Sequence, residues 1–599
     1  MFQSTIKIIF NYRLDYDFLY ITKLCTPNNK RIQFFSIAYI WGTFSIIMNW
    51  HSYLPNNIKL FGELFVDTYL ISTLIYIMPS RFKSITKTAV LLTIFTTTII
   101  DTLCFVRFDT HISSQLVQLC IETNSREVRE FFSTYIDEAV FYSPYSILLF
   151  IIIIATFIIL YNKSVFICYI YNKHKYLGVI VFILLVIGLF FAKDNKRRAF
   201  GMLSANTSSE LLKIQSHDII ASRAFYLPVY KLIGALHANK LNSNQVYHQL
   251  KINNHVVIDS CTYTSPNIIL IIGESYNKHH SQLYGYKLPT TPFQIKEMKE
   301  GNLYVYKDAV TNYNLTSQVF KNMLSLNDIS QNEDWSETPL VTQIFRKAGY
   351  NTYFISNQFV ANDSRDDFAG AFINNKELSE SQFTYRNNHM HAYDTELVSC
   401  FDSLNNQKAK NLIIFHLVGQ HVDYHERYPT NFKRIDLSMY TPNSLSKKEL
   451  NILCDYDNAT AFNDYVISLI INRFRKSESI ILYLADHGEE CYDEIKTFGR
   501  SHTTNITPPI AKNEFEIPFW IWLSPSYKLN HPDIAESIQL SKHKPFYNGD
   551  LGHLLISLGG IKCKYYRKNN DILNPEYKKH KRIINEIADY DIITSSTKN

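Results

Sequence analysis

Two stretches of this 599-residue chain place metal-binding side chains directly after apolar runs. Ile268 to Ile272 reads as a strand buried on both faces, and Gly273-Glu274-Ser275 follows at once. A carboxylate and a hydroxyl therefore sit at the C-terminal end of the strand, where open α/β sheets gather their ligands. Farther on, Tyr483-Leu484-Ala485 feeds Asp486-His487-Gly488-Glu489-Glu490. An adjacent carboxylate and imidazole at a strand end suit a zinc-like ion. Alone, G-E-S reads as a solvated loop and D-H-G as a turn; their joint occurrence after two strands points to a metal site. A third run, 411–418, carries His416, with His421 five residues on. Two histidines so spaced also fit stacking in a core.

The elements that must position these groups follow from periodicity. From residue 266 onward, β-rich runs at 267–272, 350–356, 411–418, 479–485 and 517–523 alternate with helical stretches. That alternation predicts an α/β/α domain with a mostly parallel central sheet over 266–599. Before it lie five apolar segments, near 32–50, 60–79, 87–106, 144–161 and 176–192, each about long enough to cross a bilayer as a helix. They predict a five-helix transmembrane domain over 1–193, with 194–265 as a linker carrying interfacial helices. Glu63 and Asp67 interrupt the second segment; they would face other helices or lie near the membrane surface. No cleavable signal peptide precedes the first segment. Lys and Arg in the N-terminal tail and in the 80–87 and 162–175 loops place the N-terminus in the cytoplasm and the C-terminal domain outside. Lys193, Lys196, Arg197 and Arg198 after the last segment run against that assignment.

Composition narrows the class further. The net charge of +6 clusters beside apolar runs and at the C-terminal end, which suits anionic headgroups and forms no nucleic-acid-binding stripe. The nine cysteines make no C-x-x-C pair, which argues against a cysteine zinc site. Five of them, Cys261, Cys400, Cys454, Cys491 and Cys563, lie in the C-terminal half, where one or two disulfides are allowed with a thiol left over.

The motifs in order resemble the phosphoethanolamine transferases, membrane enzymes of the alkaline-phosphatase/sulfatase superfamily. Glu274-Ser275 is followed by an SLYGY-like element, Ser281 to Tyr286, and a TTP-like element, Thr290-Thr291-Pro292. His416 to Pro429 is similar to the family's H-x-x-G-x-H-x-x-Y-x-x-R-Y-P element, and Ala485 to Glu489 to its D-H-G-E element. Tyr456-Asp457-Asn458-Ala459 matches a helix start read as structural. Cys120 to Phe132 is similar to a loop that in the family leans over the active site. The resemblance implies a zinc site (manganese as the alternative metal) held by Glu274, Asp486, His487 and Thr316. Thr316 is selected as nucleophile by register within Asp308 to Leu324, at a helix N-terminus that favours a phosphorylated hydroxyl. Asn312-Tyr313-Asn314-Leu315 stand where the family's lipid A enzymes often carry Cys and Gly, so Ser317 and Ser275 are kept as further candidates. His421 and His502 are implied to steady the phosphate or carry protons, and His416 to be structural.

The implied reaction moves phosphoethanolamine from phosphatidylethanolamine, through a phospho-threonine, to lipopolysaccharide (lipid A or core) or another envelope glycan. The implied place is the bacterial inner membrane, with the catalytic domain in the periplasm. Two alternatives stay open: a phosphoglycerol transferase of the lipoteichoic acid synthase type, and a non-catalytic membrane relative. A sulfatase is disfavoured because 308–324 lacks the C/S-x-P-x-R motif.

Overall fold

The computed structural model describes residues 29–48, 54–108, 111–113, 116–117, 138–161, 177–205, 225–360, 373, 375–404, 410–440, 445–501 and 505–595. The N-terminal tail, the 120–132 loop, the 162–175 loop and His502 lie outside them. The chain forms two compact units, residues 1–117 with 135–239, and residues 118–134 with 240–599.

The first unit contains α1 (Asn29–Met48), α2 (Leu54–Ile77), α3 (Ser80–Phe108), α4 (Pro144–Tyr161) and α5 (Leu177–Leu203). Among the described residues, these are the five helices long and apolar enough to cross a membrane. Their outward faces are apolar: Leu74, Phe150, Phe157 and Phe190 are all exposed. α3 and α5 extend furthest past the apolar runs read from sequence. α3 begins at Ser80 rather than near 87, because Arg81, Lys83 and Lys87 can carry their long stems along the helix with their charges at its end.

α5 continues to Leu203, and Lys196 within it is neutralised inside the unit. Lys196 Nζ lies 3.0 Å from Glu63 Oε1 and 2.6 Å from Asp67 Oδ2. Asn195 donates to Glu63 Oε2 at 2.9 Å, and the Tyr226 and Tyr230 hydroxyls each donate to Asp67 Oδ2 at 2.8 Å. Glu63 and Asp67 thus face neighbouring elements, and part of the charge after the last span serves pairing within the unit. A second buried cluster surrounds Asp101 of α3. Its Oδ2 meets Lys231 Nζ and His111 Nδ1, each at 3.0 Å, and its Oδ1 accepts from the Ile112 amide at 2.8 Å. Lys231 comes from the first turn of α6 (Pro228–Asn254).

The second unit is built on a seven-stranded sheet: β1 (Asn267–Gly273), β2 (Leu303–Tyr306), β3 (Asn351–Ser356), β4 (Tyr385–Arg386), β5 (Asn411–His416), β6 (Ser479–Ala485) and β7 (Phe519–Leu523). The spatial order is β2-β7-β6-β1-β5-β3-β4. Only β7 runs against its neighbours, pairing antiparallel with β2 and β6. Ile268 to Ile272 are completely buried, as expected of a strand covered by helices on both faces. α7 (Thr316–Leu324) and α8 (Lys447–Phe474) supply part of that cover. Ser446 starts α8 with a capping box, accepting from the Glu449 amide while the Glu449 carboxylate accepts from its own. Among the described residues of this unit, Cys261, Cys400, Cys454, Cys491 and Cys563 are free thiols, so none of the disulfides that the sequence allows among these five forms. Cys454 instead donates to the Ile435 carbonyl from within the core.

Lys231→Met leaves the Asp101 carboxylate buried without its cation. The expected cost is about 3–5 kcal/mol, seen as a fall in the thermal midpoint of the detergent-solubilised protein. Adding Asp101→Asn to that variant is expected to recover most of the loss.

Candidate active site

Four adjacent parallel strands, β6, β1, β5 and β3, end along one edge of the sheet and deliver the site. Gly273 of β1 pairs with Ala485 of β6, so the residues just beyond them, Glu274 and Asp486, are brought side by side. Gly273 is required there: a Cβ would collide with the Tyr483 hydroxyl on the neighbouring strand. The loop after β5 closes over Glu274. Gln420 donates its amide to the Glu274 carbonyl at 3.1 Å, and Gly419 (φ +47°) lets the two backbones approach where a Cβ would lie 2.9 Å from that carbonyl.

Glu274, Asp486 and His487 form a buried cluster whose ligand atoms lie within 4.8 Å of one another. His487 Nε2 stands 3.2 Å from Glu274 Oε1 and 3.3 Å from Asp486 Oδ2. His487 Nδ1 donates to the Gly488 carbonyl at 2.8 Å, so Nε2 presents a lone pair to the two carboxylates. Among the described residues no hydrogen-bond donor reaches Asp486 Oδ2, a fully buried oxygen. Three convergent lone-pair donors, one of them orphaned, are chemically fitted to a cation of the zinc class.

The electrostatics agree. Burial and the adjacent Glu274 push the Asp486 carboxyl well above its ordinary range. Burial would raise Glu274 as well, but His487, His421 and Arg500 bring it below the usual carboxylate range. Burial and the Arg500 cation lower the His487 imidazole, favouring the neutral form that binds metals.

Thr316 is the first residue of α7, at an N-terminus whose preceding residue, Leu315, gives no side-chain cap. Its hydroxyl donates to Glu274 Oε2 at 3.1 Å and lies 3.4 Å from His487 Nε2. Thr316 is partly exposed while the three acceptors beneath it are buried. Ser275 is fully buried with φ +53° and donates to Glu274 Oε1 at 2.9 Å; Ser317 is buried as well. Of the three hydroxyls read from sequence, Thr316 touches two members of the cluster and has access to solvent.

His421 lies on the loop after β5, close enough for its charge to act on Glu274. His416 is buried. Ser356 Oγ sits 3.0 Å from its Nδ1, Gln358 Nε2 lies 3.2 Å from its Nε2, and Phe359 stacks on the ring. Burial holds its imidazole down at about 4. Asn458 caps backbone, bonding the Arg434 and Ile435 amides and the Ile435 carbonyl. Asp457 accepts from the Tyr286 and Tyr440 hydroxyls and meets His280 Nδ1 at 2.7 Å.

Several site groups carry no signal in the sequence. Gln358, two residues beyond β3, joins Glu274 Oε2 at 3.2 Å to the Leu417 carbonyl at 2.8 Å and to His416. Arg500 Nη1 donates to His487 Nε2 at 2.9 Å and to the Asn314 carbonyl at 3.2 Å. Asn314 Nδ2 donates to Glu514 Oε2 at 2.7 Å and to the Ser501 carbonyl at 2.9 Å, fastening the backbone two residues before Thr316. Nothing in the pattern marks Gln358 or Arg500.

Residues 266–557 match the sulfatase family model. The chain is 29% identical over 340 residues to phosphoethanolamine transferase EptC of Escherichia coli K12, an alignment covering 54% of this chain and 57% of that protein. It is 28% identical over 341 residues to phosphoethanolamine transferase CptA of Salmonella typhimurium, covering 54% and 57%. The chain thus spans a little over half the length of these curated relatives. The integral membrane protein lipooligosaccharide phosphoethanolamine transferase A (EptA) from Neisseria meningitidis shares the fold, with a TM-score of 0.58 at 15% identity, over 90% of this chain and 97% of that one.

Gln358→Ala removes the donor that orients Glu274 and is expected to weaken metal binding about 10- to 100-fold, measured by competition with a chelator. The depressed His416 imidazole makes a separate prediction. The unfolded chain takes up its proton near 6.5 and the folded one only near 4, so this contribution to stability is present above pH 6.5 and is lost as pH falls toward 4. Thermal midpoints of His416→Phe should therefore fall less steeply across that window than those of the wild type.

Proposed function

We propose that this chain, a sulfatase-family domain joined to five apolar helices, is a metal-dependent phosphoethanolamine transferase of the bacterial inner membrane with its catalytic domain in the periplasm. The donor is phosphatidylethanolamine, and the acceptor is lipopolysaccharide, at lipid A or core, or another envelope glycan. One observation carries the reading: the Thr316 hydroxyl, at a helix N-terminus, touches both Glu274 and His487 of a buried three-ligand cluster. The names of the relatives support the group transferred. Five helices able to cross a membrane suit a donor that is itself a lipid.

Thr316 Oγ attacks the phosphorus as Glu274, or a group beyond it, takes the hydroxyl proton. The bond from phosphorus to the diacylglycerol oxygen breaks, that oxygen gains a proton, and phosphoethanolamine stays on Thr316. An acceptor hydroxyl oxygen then attacks the same phosphorus and gives up its proton, and Thr316 Oγ leaves and regains one. When bound, a zinc ion held by Glu274, Asp486, His487 and Thr316 supplies the positive charge that lowers the pKa of the hydroxyl. The positive end of the α7 helix dipole, at its first residue Thr316, favours an anion formed there. His421 steadies the phosphoryl oxygens or protonates the leaving oxygen, and His502 joins it on sequence grounds.

Full-length protein incubated with phosphatidylethanolamine and zinc is expected to gain one phosphoethanolamine on Thr316 by intact mass, while Thr316→Ala gains none. An adduct of phosphoglycerol from phosphatidylglycerol, with none from phosphatidylethanolamine, overturns the assignment of the donor. An adduct that survives Thr316→Ala moves the nucleophile to Ser317 or Ser275.

A further inference from the structure

The C-terminal stretch of the second unit reaches back to the loop that carries Thr316. Strands Ile583–Ile584 and Ala588–Asp589 pair antiparallel and turn through Asn585, Glu586 and Ile587. The hairpin is fixed at its base: Ile584 and Tyr590 are buried with Val310, Ile510 and Phe515 in a small core of their own. Its tip lies on residues 312–314. The Asn585 amide donates to the Asn312 carbonyl at 2.8 Å. The Asn585 side chain makes a two-way bond with Asn314, accepting from its backbone amide at 3.4 Å and donating to its Oδ1 at 3.1 Å. The Tyr313 hydroxyl donates to Glu586 Oε1. Asn314 is thereby gripped on three sides: its Nδ2 by Glu514 and the Ser501 carbonyl, its own carbonyl by Arg500, and its Oδ1 by Asn585.

Both tip residues stand in left-handed backbone, Asn585 at φ +48° and Glu586 at φ +61°. Two such residues in succession suit a turn whose preferred sequence is Asn-Gly, and a glutamate in the second place costs stability. That cost is kept where the Glu586 carboxylate meets Tyr313, a buried residue three positions before Thr316. The buried base already holds the hairpin, so the side chains of the tip act on the neighbouring loop. We propose that Asn585 and Glu586 are positioning residues for the transfer step. The tip fixes 312–314 and, through them, the turn that enters α7, so that Thr316 Oγ meets Glu274 and His487. Neither is a catalytic residue; Asn585 acts through Asn314 and Glu586 through Tyr313. The proposal rests on the reading of Thr316 as the nucleophile.

The test separates stability from rate in the full-length protein, using Glu586→Gly and Asn585→Gly. Glycine relieves the left-handed backbone at either place and removes only the side chain, so the thermal midpoint is expected to stay or rise. The phosphoethanolamine adduct, followed by intact mass at saturating phosphatidylethanolamine with zinc, is expected to form about tenfold more slowly in each variant. The lipid concentration that gives half the maximal rate should not change, because the tip positions the nucleophile and does not hold the donor. Tyr313→Phe should slow the reaction by a similar factor, and adding Glu586→Gly to it should slow it no further. Wild-type rates in both glycine variants overturn this inference alone and leave Thr316 as the nucleophile. Rates that fall only in step with the thermal midpoint assign the tip a merely structural role and also overturn it. A raised half-saturation with an unchanged maximal rate overturns it in favour of a contact with the donor. If the wild type forms no adduct, the reading of Thr316 fails and this inference with it. Should Asn585→Gly not fold, Glu586→Gly and its combination with Tyr313→Phe decide by the same outcomes.

Discussion

Two carboxylates buried side by side at the ends of adjacent strands are the constraint on which this structure turns. The parallel register of β1 and β6 leaves Glu274 and Asp486 no way to avoid each other, and neither is exposed to water. Such a pair is stable only when surrounding groups supply positive charge or donors. The surroundings answer that demand from every side. The Thr316 and Ser275 hydroxyls, the Gln358 amide and the Ser275 backbone all donate to the pair, and Arg500 brings a cation to its imidazole neighbour. These groups come from four separate stretches of the chain, just after β1, at the start of α7, just after β3 and at position 500, so satisfying two charges organises most of one sheet edge.

The first unit meets the same constraint by another route. Apolar helices that carry Glu63, Asp67 and Asp101 must bring partners to them, and those partners come from α5, from the stretch before α6 and from its first turn. Two tyrosine hydroxyls and one lysine converge on Asp67, which explains why a carboxylate tolerates burial in a helix otherwise suited to hydrocarbon.

How much of this could be read from the residues alone followed from how local each signal is. The strands announced themselves through unbroken β-branched runs, and the ligands that directly follow them, Glu274 and Asp486-His487, were legible for the same reason. Thr316 was reached only by register against a family segment, because a threonine opening a helix is common; its contacts with Glu274 and His487 single it out in space. Gln358 and Arg500 were not legible. Each acts on a residue at least 13 positions away, across a strand end or a loop, and neither belongs to a pattern with a period. Likewise Glu63 and Asp67 stood out as charges in an apolar segment, but their partners lie well over a hundred residues downstream. The two strands missing from the sequence reading, β2 and β4, are the short outer strands of the sheet, where burial is shallower and the apolar run is broken.

The hydrogen bond from His487 to the Gly488 carbonyl has a consequence for how such a site can diverge. In many metal centres the histidine is oriented by a carboxylate, and changing that partner retunes the ligand. Here the orienting atom belongs to the main chain, at a glycine packed so closely on Asn513 that no side chain fits. No single substitution can replace that acceptor. Descendants of this sequence can adjust the imidazole only through the groups around it, so evolutionary drift in the centre is channelled into positions such as 358, 489 and 500 while the D-H-G core stays fixed.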